Sequence, residues 1–413
     1  MKTAEGEGMS ELAELERPDA AAKKALLAAT VGYAMDGFDL LILGFMLPAI
    51  AADLALTPAQ AGSLVTWTLA GAVVGGIGFG ILADNFGRVR VLTWTILLFA
   101  VFTGLCATAS GYDELRVYRT LAGVGLGGEF GIGMALVAEA WPARLRARAC
   151  SYVALGWQAG VLLAALLTPV LLPMIGWRGM FVVGLVPGLV AFGVRMIVGE
   201  PSLFVEHART AKHRLPLALL VKDAATARIS LGMLILCSVQ NFGYYGLMIW
   251  LPSYLSSRFG FGLTQSALWT AVTIVGMAVG IWIFGWLADS LGRRPALFTF
   301  QAGACAMVLL YSQLTDPTLL LIGGAVMGVF VNGMLGGYGA LLSELYPTAV
   351  RATAENVLFN LGRGVGGFGP VVVGAVAATW SFTAAIALLA MIYVLDLVAT
   401  ALLIPERRGA ALE

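Results

Sequence analysis

Apolar residues run along this chain in long unbroken stretches and do not alternate with polar ones; Ile96 to Ala109 and Ala384 to Ile404 are two of them. A helix that crosses the hydrocarbon core of a bilayer needs about 20 mostly apolar residues. Twelve such stretches can be marked. They centre near Leu40, Val73, Leu98, Gly127, Leu162 and Val186 in the first half, and near Gly243, Gly276, Met307, Val329, Gly369 and Tyr393 in the second. Backbone N–H and C=O groups in lipid must be paired internally, which leaves helices or a closed barrel. A barrel would show short alternating segments. The pattern therefore predicts an all-α membrane protein with twelve transmembrane helices.

Composition agrees. Of 413 residues, 59% are hydrophobic and 12% charged, and mean hydropathy is +0.88. Soluble domains carry about a quarter charged residues. A formal net charge of +1 and the lack of a basic stripe argue against a nucleic-acid partner. Cys106, Cys150, Cys237 and Cys305 are scattered through apolar segments, with no metal or disulfide spacing. The first eighteen residues are polar and acidic, without the basic-then-apolar order of a signal peptide. The predicted organisation is a tail (1–24), a six-helix bundle (25–198), a linker (199–227) carrying Arg209, Lys212, Arg214 and Lys222, a second six-helix bundle (228–405) and a short tail (406–413). Arg88, Arg90, Arg144, Arg146, Arg148, Arg293, Arg294, Arg351, Arg407 and Arg408 all fall on one side; only Arg116, Arg178 and Arg258 fall on the other. Basic residues collect in cytoplasmic loops, so both termini are expected in the cytoplasm of a bacterial inner-membrane protein.

The chain repeats itself. Gly80-Ile-Leu-Ala-Asp84-Asn-Phe-Gly87-Arg88 returns as Gly285-Trp-Leu-Ala-Asp289-Ser-Leu-Gly292-Arg293, 205 residues later. Glu139-Ala-Trp-Pro142, followed by Arg146, returns as Glu344-Leu-Tyr-Pro347, followed by Arg351, at the same offset. Two motifs at one spacing indicate duplication. Parallel repeats build a central binding site between two halves in one large class of transporters.

The Gly80–Arg88 and Gly285–Arg293 elements resemble the signature loop of the major facilitator superfamily. Arg119, followed by Gly123, Gly125, Gly127 and Gly128, is similar to a second hallmark. Asp36-Gly37-Phe38-Asp39 is similar to the first-helix motif of the aromatic acid:proton and sialate:proton symporters. The resemblance covers the chain beyond its first tail. It implies two pseudo-symmetric six-helix bundles, and gating roles for Asp84 and Asp289. Asp84 has Arg88 and Arg90 within a short loop's reach, and can also favour the positive N-terminus of a nearby helix. Glu139, Arg146, Arg293, Glu344 and Arg351 are candidate companions at that face. The first loop departs from the pattern in reading Gly87-Arg88-Val89-Arg90 where the second has Gly292-Arg293-Arg294.

Charge inside the membrane is costly unless paired or hydrated, so each such residue is a candidate for function. Asp36 and Asp39 lie three apart on one helix and share roughly one face. Their mutual repulsion makes at least one of them a candidate proton carrier. Glu129 is a second candidate, or else a counter-ion to Arg119 or Arg363. Arg363 has the forked guanidinium that suits a carboxylate and is the first choice for an anionic substrate. Its counterpart in the repeat is Gln158. Arg119 is a second anion candidate, although the hallmark it matches implies proton transfer. By the repeat, Gln240 and Asn241 are expected opposite Asp36; Tyr244 on the same helix, Asn332 and Asn360 are further candidate cavity residues. Asp396, on the last helix, has no role in this scheme beyond a helix-packing hydrogen bond.

No nucleophile–base pair, metal cluster or phosphate loop stands out, so neither an enzyme nor a cofactor is expected. The expected function is proton-coupled import of a small organic acid by a monomer. A proton-antiport exporter and a non-transporting sensor are the alternatives.

Overall fold

The computed structural model describes residues 18–196, 198–200, 204–205, 216–261 and 263–408. Arg209, Lys212 and Arg214 of the linker, with most of both tails, lie outside the described residues. Except for a short 3-10 turn, the elements are α-helices. Helix α1 is Ala20–Asp53, capped by Asp19, whose carboxylate accepts from Ala22 N at 2.7 Å. Thr57 and Gln60 form a capping box at the start of α2, Pro58–Phe86. Helix α3 is Arg88–Cys106; α4 is Tyr112–Gly127 continued by Glu129–Ala140 past a break at Gly128.

One stretch, Arg146–Arg195, holds two crossings, α5 and α6, separated where Gly176 takes φ 66°. Gly160 lies against Ala34 and Phe38, and Gly188 against Met35. Those glycines would be about 42 Å apart on a straight helix, so the chain must turn back between them. The second half follows as α7 (Ala224–Phe259), α8 (Leu263–Leu291), α9 (Arg293–Gln313), α10 (Pro317–Gly333 continued by Leu335–Leu345), α11 (Arg351–Gly366 continued by Gly369–Thr379) and α12 (Phe382–Leu403). Among the described residues, 11 helical spans are long and apolar enough to cross a bilayer. The 52-residue span around Gly176 counts twice, which makes twelve crossings in two six-helix bundles.

The 205-residue repeat extends into the packing. Gly71, Gly75 and Gly123 bring α2 against α4 so closely that an added Cβ would strike backbone. Gly276, Gly280 and Gly328 do the same for α8 and α10. Small residues allow such approach where no hydrophobic force drives helices together. The halves meet along α2 and α11, where Gly76 touches Asn360, and along α5 and α8, where Gly285 touches Ser151. Large apolar side chains such as Leu166, Val170 and Trp286 face outward, as lipid contact requires.

Candidate transport site and gate

The arginine clusters converge at one end of the molecule, where each half locks onto the other. Asp84 accepts from Ala352 N at 3.2 Å and Thr353 N at 2.8 Å, at the start of α11, and pairs with Arg88 at 3.1 Å. Both kinds of partner open to Asp84 in the sequence are thus used at once. Asp289 repeats this in the other half, accepting from Ala147 N and Arg148 N at the start of α5 and pairing with Arg293 at 3.2 Å. Positive helix N-termini and backbone donors both suit a carboxylate.

Glu139 and Glu344 pair across the halves. Arg88 grips Glu139 through two nitrogens, at 3.2 and 3.0 Å, and Arg351 from the other half reaches the same carboxylate at 2.8 Å. Arg293 grips Glu344 at 2.9 and 2.7 Å, and Arg146 reaches it at 3.0 Å. Each glutamate therefore has one arginine from each half. Arg90 contributes its backbone N–H to Glu200 at 3.0 Å.

Two acids at this end were not singled out from the sequence. Glu200 accepts from Arg88 N and Arg90 N at the start of α3; Glu406 accepts from Arg293 N and Arg294 N at the start of α9. Gly87 (φ 109°) and Gly292 (φ 114°) make the turns that present these donors. Partial burial pushes the Glu406 carboxyl up, but the backbone N–H groups of Arg294, Arg293, Arg408 and Arg407 outweigh it and hold it below its ordinary value. The signal for the pair was a glutamate beside proline at each bundle's end, Glu200-Pro201 and Pro405-Glu406. Their spacing of 206 hid them from an exact repeat. Glu355 was also missed. It is fully buried one turn into α11, where Ser343 donates to it at 2.5 Å.

Farther in, Phe130 of α4 and Phe359 of α11 stack at 3.6 Å with planes 15° apart. Beyond this plug lies Arg363, one turn along α11. Its guanidinium sits 5.1 Å from the Phe359 ring and 5.5 Å from the Trp157 ring of the opposite half. Tyr33, Asp36 and Tyr245 are its polar neighbours. A small cavity here is lined by Arg363, Tyr33, Trp157, Phe359, Gln240, Asn241, Tyr244, Tyr245, Asn332 and Leu335. Its free volume is about 10 Å³, the room of roughly one water. Gln240 donates to Asn332 at 2.5 Å, and Trp157 donates to Tyr244 at 3.4 Å across the halves.

The two acids of α1 part company. Asp36 is buried beside Tyr33 and Arg363. Asp39 is paired with Arg119 through both oxygens, at 3.0 and 2.7 Å, with Thr68 and Thr103 completing the cluster. The partner of Arg119 is thus Asp39 and not Glu129, which instead accepts from Thr95 at 2.5 Å. Asn360 stands away from the cavity lining. It donates to Gly127 O at 2.9 Å, bridging the halves at the break in α4. Gln158 is buried next to Trp157 with neither amide atom hydrogen-bonded, and is not among the cavity-lining residues.

Two pseudo-symmetric bundles around a buried polar cavity, latched at one end, define a membrane transporter. The chain belongs to the Major Facilitator Superfamily, whose profile matches residues 29–279 and 255–412. It is a transporter of metabolites and not an enzyme. A Haemophilus influenzae protein whose description goes no further than metabolite transport is 66% identical over 398 residues, covering 94% of this chain and 98% of that one. The cis,cis-muconate transport protein of Acinetobacter baylyi is 30% identical, covering 94% and 95%. The sialic acid transporter NanX of Escherichia coli is 29% identical, covering 84% and 86%. The fold matches that of XylE, a proton:xylose symporter, with a TM-score of 0.81 at 18% identity over 96% of this chain and 98% of that one.

Proposed function

We propose that the protein imports a small organic acid, of the monocarboxylate or aromatic carboxylate class, together with protons. The observation that carries this reading is the setting of Arg363: a buried guanidinium held between aromatic rings, with Asp36 of the other half beside it. An arginine so placed can bind a carboxylate through its fork. A substrate carboxylate on Arg363 would displace Asp36 as counter-charge, and Asp36 would then take up a proton. The loaded cavity gains no net charge, which lets it cross an occluded state in low dielectric. Tyr33, Trp157, Tyr244 and Phe359 suit a flat ring. Asp39, held by Arg119, and Glu129, held by Thr95, would relay or tune that proton; Gln240, Asn241 and Asn332 would orient substrate.

In this reading the arginine-rich end is cytoplasmic, as the positive-inside rule implies, in the inner membrane of a bacterium. The Asp84, Asp289, Glu139 and Glu344 contacts are the cytoplasmic gate, here shut. The bundles at 25–198 and 228–405 rock as units about the cavity within a monomer. Muconate- and sialate-transporting relatives support an acid as cargo.

The test is a binding screen by thermal shift on the purified protein with benzoates, hydroxybenzoates, nicotinate, muconate, lactate and sialic acid. At least one acid should raise Tm in the wild type and leave Arg363→Ala unchanged. Equal shifts in both proteins, or stabilisation by cations alone, would remove the basis for this reading.

A further inference from the structure

A second acid lies outside both cavity and gate. Asp396 is fully buried in α12. Cys237 of α7, Tyr338 of α10 and Tyr393 of α12 feel its charge, and none of them is a cation. The polar group at hand is the Gln301 amide of α9. That amide donates to Thr400, one turn beyond Asp396, at 2.7 Å. Neither carboxyl oxygen of Asp396 has a hydrogen-bond partner, and the Gln301 Oε1 atom and the Tyr393 hydroxyl lack one too. Four polar atoms without a protein partner thus belong to one buried cluster.

A carboxylate can only accept hydrogen bonds, and bare charge at this depth is expensive. A carboxylic acid both donates and accepts. A primary amide does the same, whichever way its two atoms are assigned. An acid and an amide can therefore satisfy one another, where a carboxylate and an amide oxygen cannot. We propose that Asp396 is a proton-binding site of the second bundle, holding its proton as the acid partner of Gln301. The proton clasps α12 to α9.

Asp396, Gln301 and Tyr393 are not among the residues that line the cavity. Gln240, Asn241, Tyr244 and Tyr245 of α7 line the cavity. The Tyr393 hydroxyl abuts Gly243 of α7, where a Cβ could not fit. The clasp thus packs against the helix that carries the cavity amides Gln240 and Asn241. An unfolded aspartate releases its proton at about pH 4, so the contribution of a proton held in the fold declines as pH rises above that.

Infrared spectroscopy on purified protein tests the assignment without any transport step. At neutral pH the wild type should show a protonated-carboxyl band that is missing from Asp396→Asn, retained in Asp36→Asn and lowered in D2O. Gln301→Leu should move that band to higher frequency, because its amide partner is gone. The proposal is overturned if the wild-type minus Asp396→Asn spectrum contains only carboxylate bands. Should Asp396→Asn not fold, Gln301→Leu decides alone, and an unmoved band overturns the proposal. A neutral amide replaces a neutral acid in Asp396→Asn, so its Tm should exceed that of the wild type by more at pH 9 than at pH 6. The reverse order would also overturn the proposal.

Discussion

At Arg363 the guanidinium plane lies within 5.5 Å of the centroids of both the Trp157 and Phe359 rings. Lysine would keep the charge but lose the flat stacking surface and the fork. Charge-assisted hydrogen bonds contribute about 1.5–3 kcal/mol. Arg363→Lys should therefore weaken acid binding on the order of 10- to 100-fold, measured by titration calorimetry with the acid that the thermal screen selects. Unchanged affinity would mean that the carboxylate binds elsewhere. At the gate rim, the Glu406 carboxyl sits below its ordinary value because backbone N–H groups favour its charged form. Its contribution is present above the unfolded value of about 4.3 and is lost as pH falls through the lower folded value. Glu406→Gln should lower Tm at pH 7, and the gap to the wild type should close on acidification. Apart from Glu355, the buried charges of the gate and cavity were legible in the sequence, but their pairing was not. Asp36 and Asp39 look alike as a three-residue pair, and only the approach of α4 and α11 sends one to Arg119 and the other toward Arg363.

Helix α11 runs from the arginine-rich end to the cavity, and α4 stacks Phe130 on Phe359 between the two. Glu139 and Arg351 mark the gate, Phe130 and Phe359 the plug, and Arg363 the cavity. Removing one ring should leave the gate latched but loosen the cavity floor. Phe359→Ala is expected to cost about 3–5 kcal/mol where the ring is fully packed, and to raise uncoupled substrate leak in vesicles; leak no greater than the wild type's would show that the latch alone seals. At the latch, Glu139→Gln takes the shared carboxylate from Arg88 and Arg351. Breaking a buried pair on one side costs about 3–5 kcal/mol, so the closed end should open. Distance measurements between spin labels on α2 and α11 at that end should lengthen, and an unchanged distribution would contradict the latch. Sequence alone marked Glu139, Arg146, Glu344 and Arg351 as companions of one face. That each arginine crosses to the other half's glutamate depends on how the bundles face each other, which no local pattern encodes.

The whole molecule is a duplicated fold with unequal chemistry. Its twelve crossings, two bundles and 205-residue repeat were legible because lipid forces long apolar helices and because duplication copies motifs at one spacing. The gate obeys the repeat almost atom for atom: Asp84 with Asp289, Arg88 with Arg293, Glu139 with Glu344. The cavity departs from it: Arg363 answers to Gln158, and Asn332 answers to Gly127. In the proposed function, symmetry at the latched end would permit rocking of like halves, with the proton carried on α1 and the anion on α11. The most direct measurement is uptake of a labelled acid into proteoliposomes under an imposed inward proton gradient. The account predicts concentrative uptake that collapses with the gradient, and in Asp36→Asn equilibration without accumulation. Accumulation that survives collapse of the gradient, or that persists in Asp36→Asn, would contradict it.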